Sequence, residues 1–253
     1  MIDPFAPLRR ALDGFAEAGR PARFWLRDDD AVEPSPALDR LLELGVAYSV
    51  PLTLAVIPQH TGPALAARLQ GLAVEVAPHG WSHTNHAARG RKSCELGPER
   101  PATAVLAELA EGLTWLRTLH GDRTVPMLVP PWNRIDPALI PALPNIGFTG
   151  LSVFGPEKGN APPTPINVHV DLIDWRGTRG GRSTEALVAD FLTRLAVAHS
   201  TGAPLGYMTH HLVHDAAAWT FTEQLFAATA PHPGVRWHRL SDLLAGESQI
   251  SLA

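Results

Sequence analysis

A single cysteine, Cys94, is all that this 253-residue chain contains, and that scarcity excludes an internal disulfide framework. Long hydrophobic runs are missing as well. No stretch approaches the length of a bilayer-spanning helix. Residues 1–20 are interrupted by Arg9, Arg10, Asp13 and Glu17, so they read as a short amphipathic helix and not as a secretory signal. No Ser/Gly linker, low-complexity tract or internal repeat divides the chain. Lysine and arginine form no dense patch and the net charge of -4 is mild, which argues against nucleic acid as a partner. The loop Gly177-Thr178-Arg179-Gly180-Gly181-Arg182-Ser183-Thr184 lacks the spacing and the lysine of a nucleotide P-loop. It reads as a flexible loop with a Ser or Thr helix cap. These absences leave the expectation of a soluble, cytoplasmic protein without a membrane partner. One domain is expected over 1–253, and nothing fixes its oligomeric state.

What is present suits an alternating fold. The 45% apolar content supports one sizeable core, and the 24 prolines are spread over many connections. Short apolar runs predict strands at 24–26, 52–57, 74–77, 127–129, 148–151, 168–170, 205–209 and 234–237. Between them, helices are predicted at 37–44, 64–69, 102–119, 137–143, 184–199 and 222–228. The longest places Val105, Leu106, Leu109, Leu113 and Leu116 at a three-to-four spacing that gives one buried face. Such alternation predicts a parallel α/β fold, either a barrel or a doubly wound sheet. Polar clusters follow five of the strand runs, at 28–30, 79–83, 130–133, 171–175 and 210–214. A barrel gathers strand ends onto one face, whereas an open sheet focuses ligands at one switch point. The barrel is therefore favoured.

Two of these runs end in metal-binding side chains: Phe24-Trp25-Leu26-Arg27-Asp28-Asp29-Asp30, and Val74-Glu75-Val76-Ala77-Pro78-His79-Gly80-Trp81-Ser82-His83. Three adjacent carboxylates repel one another unless a cation or a strong donor sits among them. Two histidines four apart can converge on one ion, and a carboxylate from elsewhere completes a site with open positions. Asp29, His79 and His83 are the candidate ligands, and metal-assisted hydrolysis is the chemistry they suggest first. Ideal strand geometry sends Asp28 and Asp29 to opposite faces, so both reach one site only where the strand ends or bends. Asp28 could then act as general base on a water whose pKa the cation lowers. The competing reading makes 28–30 a solvated turn leading into a helix near Ser35. Chance histidine pairs are common in a chain with twelve of them, and His86 is a rival partner for His83. The joint order is more specific, because Pro130-Pro131-Trp132-Asn133, Asp171-Leu172-Ile173-Asp174-Trp175 and then His210 follow.

In that order the chain resembles the polysaccharide deacetylases, the NodB-homology group also called carbohydrate esterase family four, from Phe24 to about His214. The resemblance implies a distorted (β/α) barrel of about seven parallel strands. Leu26-Arg27-Asp28-Asp29 is similar to the first motif, which implies Asp28 as catalytic base and Asp29 as metal ligand. His79-Gly80-Trp81-Ser82-His83 resembles the second and makes both histidines ligands. Val129-Pro130-Pro131-Trp132-Asn133 resembles the third, which implies substrate contacts at Pro131 and Trp132 and a backbone that helps hold the oxyanion. The fourth motif implies Trp175 in the acyl pocket and Asp174 as partner of the catalytic histidine. Met208-Thr209-His210 resembles the fifth, with His210 as general acid; His211, which should face away along a strand, ranks second. The chain departs from the pattern at Asp30 and Asn133, where glycines are usual, and at Gly80, where a hydroxyl is usual. Val129 stands where an arginine commonly orients the base, and Arg27, Arg134 or Arg176 are left to supply that charge.

The expected activity is metal-dependent hydrolysis of a non-peptide, linear C–N amide bond, chiefly N-deacetylation of an N-acylated sugar or related small amide. One divalent ion is expected, Zn²⁺ first, with Co²⁺, Ni²⁺ or Fe²⁺ also compatible with these ligands. Two alternatives stand beside it: hydrolysis of a cyclic amide or ureide, and a catalytically weakened barrel that binds carbohydrate.

Overall fold

The computed structural model describes residues 3–159 and 162–246. Its strands are β1 (Ala22–Ala31), β2 (Leu52–Val56), β3 (Val74–Pro78), β4 (Met127–Leu128), β5 (Gly150–Leu151), β6 (Thr164–Pro165), β7 (Val170–Asp171), β8 (Leu205–Thr209) and β9 (Val235–Trp237). The helices are α1 (Ala6–Glu17), α2 (Pro36–Tyr48), α3 (Pro63–Arg68), α4 (Ala102–His120), α5 (Thr184–Thr201), α6 (Ala216–Thr229) and α7 (Leu240–Leu244). Helix starts follow local chemistry. Ser35, Ser183 and Asp215 each accept a backbone N–H from the first turn of α2, α5 and α6, which satisfies a donor the helix cannot. The segment predicted as a helix at 137–143 is instead a 3-10 turn, Ile140–Ile146. Pro141 and Pro144 lack the N–H that a longer α-helix would need. None of the described helices is long and apolar enough to cross a membrane.

This is an α/β fold whose paired strands all run parallel. One sheet has the order β3-β2-β1-β8-β7, with β9 added beside the start of β1, and a second has the order β4-β5-β6. The two are joined at both margins. Bridges Val76–Thr124 and His79–Val129 tie β3 to the β4 segment. At the other margin Val168 N donates to Val153 O at 3.0 Å while His169 N donates to Gly206 O at 2.7 Å. The run from β6 into β7 thus passes from one sheet to the other.

Alternation along β1 sorts its side chains into two layers. Phe24 and Leu26 belong to the large cluster beneath the helices. Trp25 belongs to a separate cluster with Ala55, Ala77, Met127, Val129, Val168 and Met208, one that draws on strands of both sheets. Leu240 and Leu243 of α7 join it. Each fully buried aliphatic or aromatic side chain contributes about 1.5–3 kcal/mol of burial free energy. Arg27 and Asp29 continue the face of Trp25, and Asp28 continues the opposite one.

Candidate active site

Strand β1 does not run straight through its three aspartates. Its pairing with β2 steps from Asp28–Leu54 to Ala31–Val56, three residues against two, which is a β-bulge. At the bulge Asp30 has φ 72°, a left-handed conformation that aspartate tolerates better than most residues. The bend therefore falls one residue later than expected, and it brings Asp29 and Asp30, not Asp28 and Asp29, to the same site.

Asp30 is the carboxylate that meets the histidines. Its Oδ1 lies 3.1 Å from His79 Nε2 and 3.3 Å from His83 Nε2, and the three potential ligand atoms all fall within 4.8 Å of one another. Ligand bonds of about 2.0–2.2 Å place neighbouring ligand atoms about 3–3.5 Å apart, so these residues fit a divalent ion. His79 Nδ1 donates to Val129 O at 3.0 Å, which orients the ring so that Nε2 faces Asp30. Burial disfavours protonated His79, but Asp29 and Asp30 outweigh it and raise its pKa. Burial also pushes the Asp30 carboxyl up, and the surrounding histidines more than reverse this and hold it low.

Asp29, expected as a ligand, lies outside the cluster of Asp30, His79 and His83 and is paired with an arginine. Arg27 Nε and Nη2 donate to the two Asp29 oxygens at 2.8 and 3.0 Å. Of the three arginines left open by the sequence, Arg27 is the one at the site; Arg134 donates to Ser93 O at 2.7 Å. Arg27 also reaches Ser152 Oγ at 2.8 Å and Asn133 Oδ1 at 2.7 Å. Asp28, expected as the base, stands on the far side of the strand, fully buried and bonded to Thr209 and His211. Asp29, on the other face, is the aspartate that His210 approaches, with His210 Nε2 3.8 Å from Asp29 Oδ2.

The remaining candidates divide. Trp175 packs edge-on against His210 with ring centroids 4.7 Å apart, and its indole N–H donates to Asp171 Oδ2 at 2.9 Å. Burial keeps the Asp171 carboxyl above its usual range. Asp174, expected beside His210, instead accepts from Gly177 N at 3.0 Å and Thr178 N at 3.3 Å; it closes the loop that carries Trp175. Trp132 lies 4.3 Å from the His83 ring. Pro131 is buried in the turn Pro131–Asn133, where Trp132 and Asn133 both have positive φ, 54° and 57°. A Cβ on Gly80 would sit 2.7 Å from Pro131 and 2.1 Å from Glu95 Oε2, so no side chain fits at the position where this chain departs from the usual hydroxyl. Glu95, which carried no signal in the sequence, does the bracing. It is fully buried and accepts from Ser82 N at 2.7 Å and Ser82 Oγ at 3.0 Å.

No protein-family model matches the sequence, and no curated protein matches it. Solved structures do. A candidate polysaccharide deacetylase from Mycobacterium smegmatis superposes with a TM-score of 0.67 at 15% identity, covering 90% of each chain. The chain has the deacetylase fold. A peptidoglycan deacetylase from Bacillus subtilis gives 0.58 at 17% identity, covering 89% of this chain and 91% of that one. A family 4 acetyl xylan esterase from Clostridium thermocellum, solved with a cobalt ion, gives 0.53 at 16% identity over 88% and 90%. At such identities the likeness is one of fold. The order β3-β2-β1-β8 of the parallel sheet turns the C-terminal ends of β1, β3 and β8 to one margin, which is how residues far apart in sequence come to share one site.

Proposed function

We propose that this protein is a divalent-metal-dependent hydrolase that removes the acyl group from an N-acylated sugar or related small amide. The observation that carries the reading is Asp29. It is held by both oxygens on Arg27, with Asp30, His79 and His83 on one side and His210 on the other. In this reading Asp30, His79 and His83 hold the ion. When bound, the ion would supply Lewis acidity toward the acyl carbonyl and lower the pKa of water, with Zn²⁺ first and Co²⁺, Ni²⁺ or Fe²⁺ compatible with the same ligands.

The chain's own groups divide the proton transfers. Asp29 accepts the proton of the attacking water, its orientation set by the Arg27 fork. His210 delivers a proton to the departing amine nitrogen, without which C–N cleavage stalls. Trp175 and Trp132 present apolar walls beside His210 and His83, suited to an acyl methyl and to the face of a sugar ring. The fold likeness to deacetylases supports an acyl amide as the substrate class.

The test combines metal content with turnover. Wild-type protein should carry about one equivalent of metal by mass spectrometry, and Asp30→Ala should lose it. Asp29→Asn should keep the metal and lose about 10²–10⁴-fold in turnover on a panel of N-acetyl sugars and small amides. Absence of metal after reconstitution with all four ions, or full activity in Asp29→Asn, overturns the proposal.

A further inference from the structure

His210 has an unusual weakness for a residue that must deliver a proton on target. Among the described residues its ring makes no hydrogen bond: Nδ1 is buried without a partner, and Nε2 stands 3.8 Å from Asp29. Its side chain is steadied by the edge of Trp175 and otherwise by the backbone that carries it.

That backbone is gripped from behind. Asp28 is paired with Thr209 in the β1–β8 register, and its carboxylate reaches to either side of His210. Asp28 Oδ2 accepts from Thr209 Oγ1 at 2.6 Å and from His211 N at 2.9 Å, while Oδ1 accepts from His211 Nδ1. Asp28 and Thr209 are fully buried and His211 is 1% exposed. Burying an ion pair costs several kcal/mol per charge, and an apolar pair of similar volume would pack the same space as stably. A polar clamp at this position therefore calls for a role besides packing. Alternation supplies it, because Asp28 holds the two neighbours of His210 on one face while Asp29 meets His210 on the other.

We infer that Asp28 is a positioning residue, which fixes the Thr209–His211 backbone and so aims the His210 imidazole at Asp29. The inference rests on the reading of His210 as proton donor, and it gives the first member of the aspartate triplet a task separate from the other two.

Three variants test it: Asp28→Asn, Thr209→Val and Thr209→Ser, each read by kcat, KM, metal content and the ¹⁵N-imidazole signals of His210. Misplacing a reacting group by about 1 Å can cost about 10²-fold in rate. Thr209→Val, which loses one of the three donors, should lower kcat about tenfold with KM and metal content unchanged. Thr209→Ser should restore kcat. The His210 ring signals should shift or broaden in Asp28→Asn and Thr209→Val but not in Thr209→Ser. If Asp28→Asn or Thr209→Val folds with both kcat and the His210 signals unchanged, the clamp merely anchors the chain and the inference falls. Should the wild type turn over no amide, the proposed activity fails, and the ring signals alone still decide whether Asp28 positions His210.

Discussion

Arg27 has no exposed surface, and its guanidinium spends its donors on Asp29, Ser152, Asn133 and the sulfur of Met208. It is the reason that a carboxylate can stand nearly buried beside the Asp30 cluster. Arg27→Met should leave Asp29 buried and unpaired, which costs about 3–5 kcal/mol in urea unfolding. Arg27→Lys should recover part of that stability but little activity, since an ammonium offers no bidentate fork. An Arg27→Met protein as stable as wild type would show that the pair is not what permits the charge. The sequence named Arg27 only as one of three arginines, for a specific reason. Residues 27 and 29 share a face only if the strand runs straight through 29, and the motif reading placed the bend at 28–29. The same one-residue step brings Asp30, in place of Asp29, to His79 and His83, and Asp29, in place of Asp28, toward His210. Side-chain types were legible at this site; the backbone dihedral that assigns them was not.

At the scale of elements, the bulge in β1 carries that assignment, and it can be separated from ligation. Asp30 serves twice, as a left-handed residue and as a carboxylate. Asp30→Gly should lose the metal yet fold at least as well as wild type, because glycine adopts φ 72° without strain. Asp30→Val should lose the metal and also about 1–3 kcal/mol of stability, since a β-branched side chain at that dihedral is strained. Equal stability of the two variants, measured without metal, would mean the strand can straighten and the bulge is not fixed by its surroundings. The eight predicted strand runs all coincide with or adjoin strands, because each is a short apolar run closed by polar or turn residues. Two elements were harder to read. The short α7 has too few turns for its period to register, and β6 is only Thr164–Pro165, too short to show an alternating face. The Glu95 brace was unreadable because nothing in Lys92-Ser93-Cys94-Glu95 marks that carboxylate as buried.

For the whole molecule, stability against pH joins groups that pull in opposite directions. His120, at the end of α4, is desolvated and lies near Arg123, so its pKa falls to about 4. His214 is lowered to about 4, chiefly by burial. For both, the unfolded chain binds a proton near pH 6.5 that the folded chain refuses. Their contribution is complete above that value and is lost as pH drops from about 6.5 toward 4. His211 has the reverse sign: the Asp28 charge overcomes burial and raises its pKa, so its contribution is present in acid and fades as pH rises through the folded value. The total curve cannot separate these terms, but a difference can. Both ring nitrogens of His120 are buried without a hydrogen-bond partner among the described residues, so His120→Gln removes one titration and breaks no hydrogen bond. The melting temperature of wild type should fall more steeply than that of His120→Gln between pH 6.5 and 4, and the two curves should run parallel above pH 7. Parallel curves throughout would mean that His120 takes up its proton in the folded state after all, by opening the end of α4 toward water. The steeper wild-type curve would place an acid-sensitive point on the helix that packs beside β3, the strand that delivers His79.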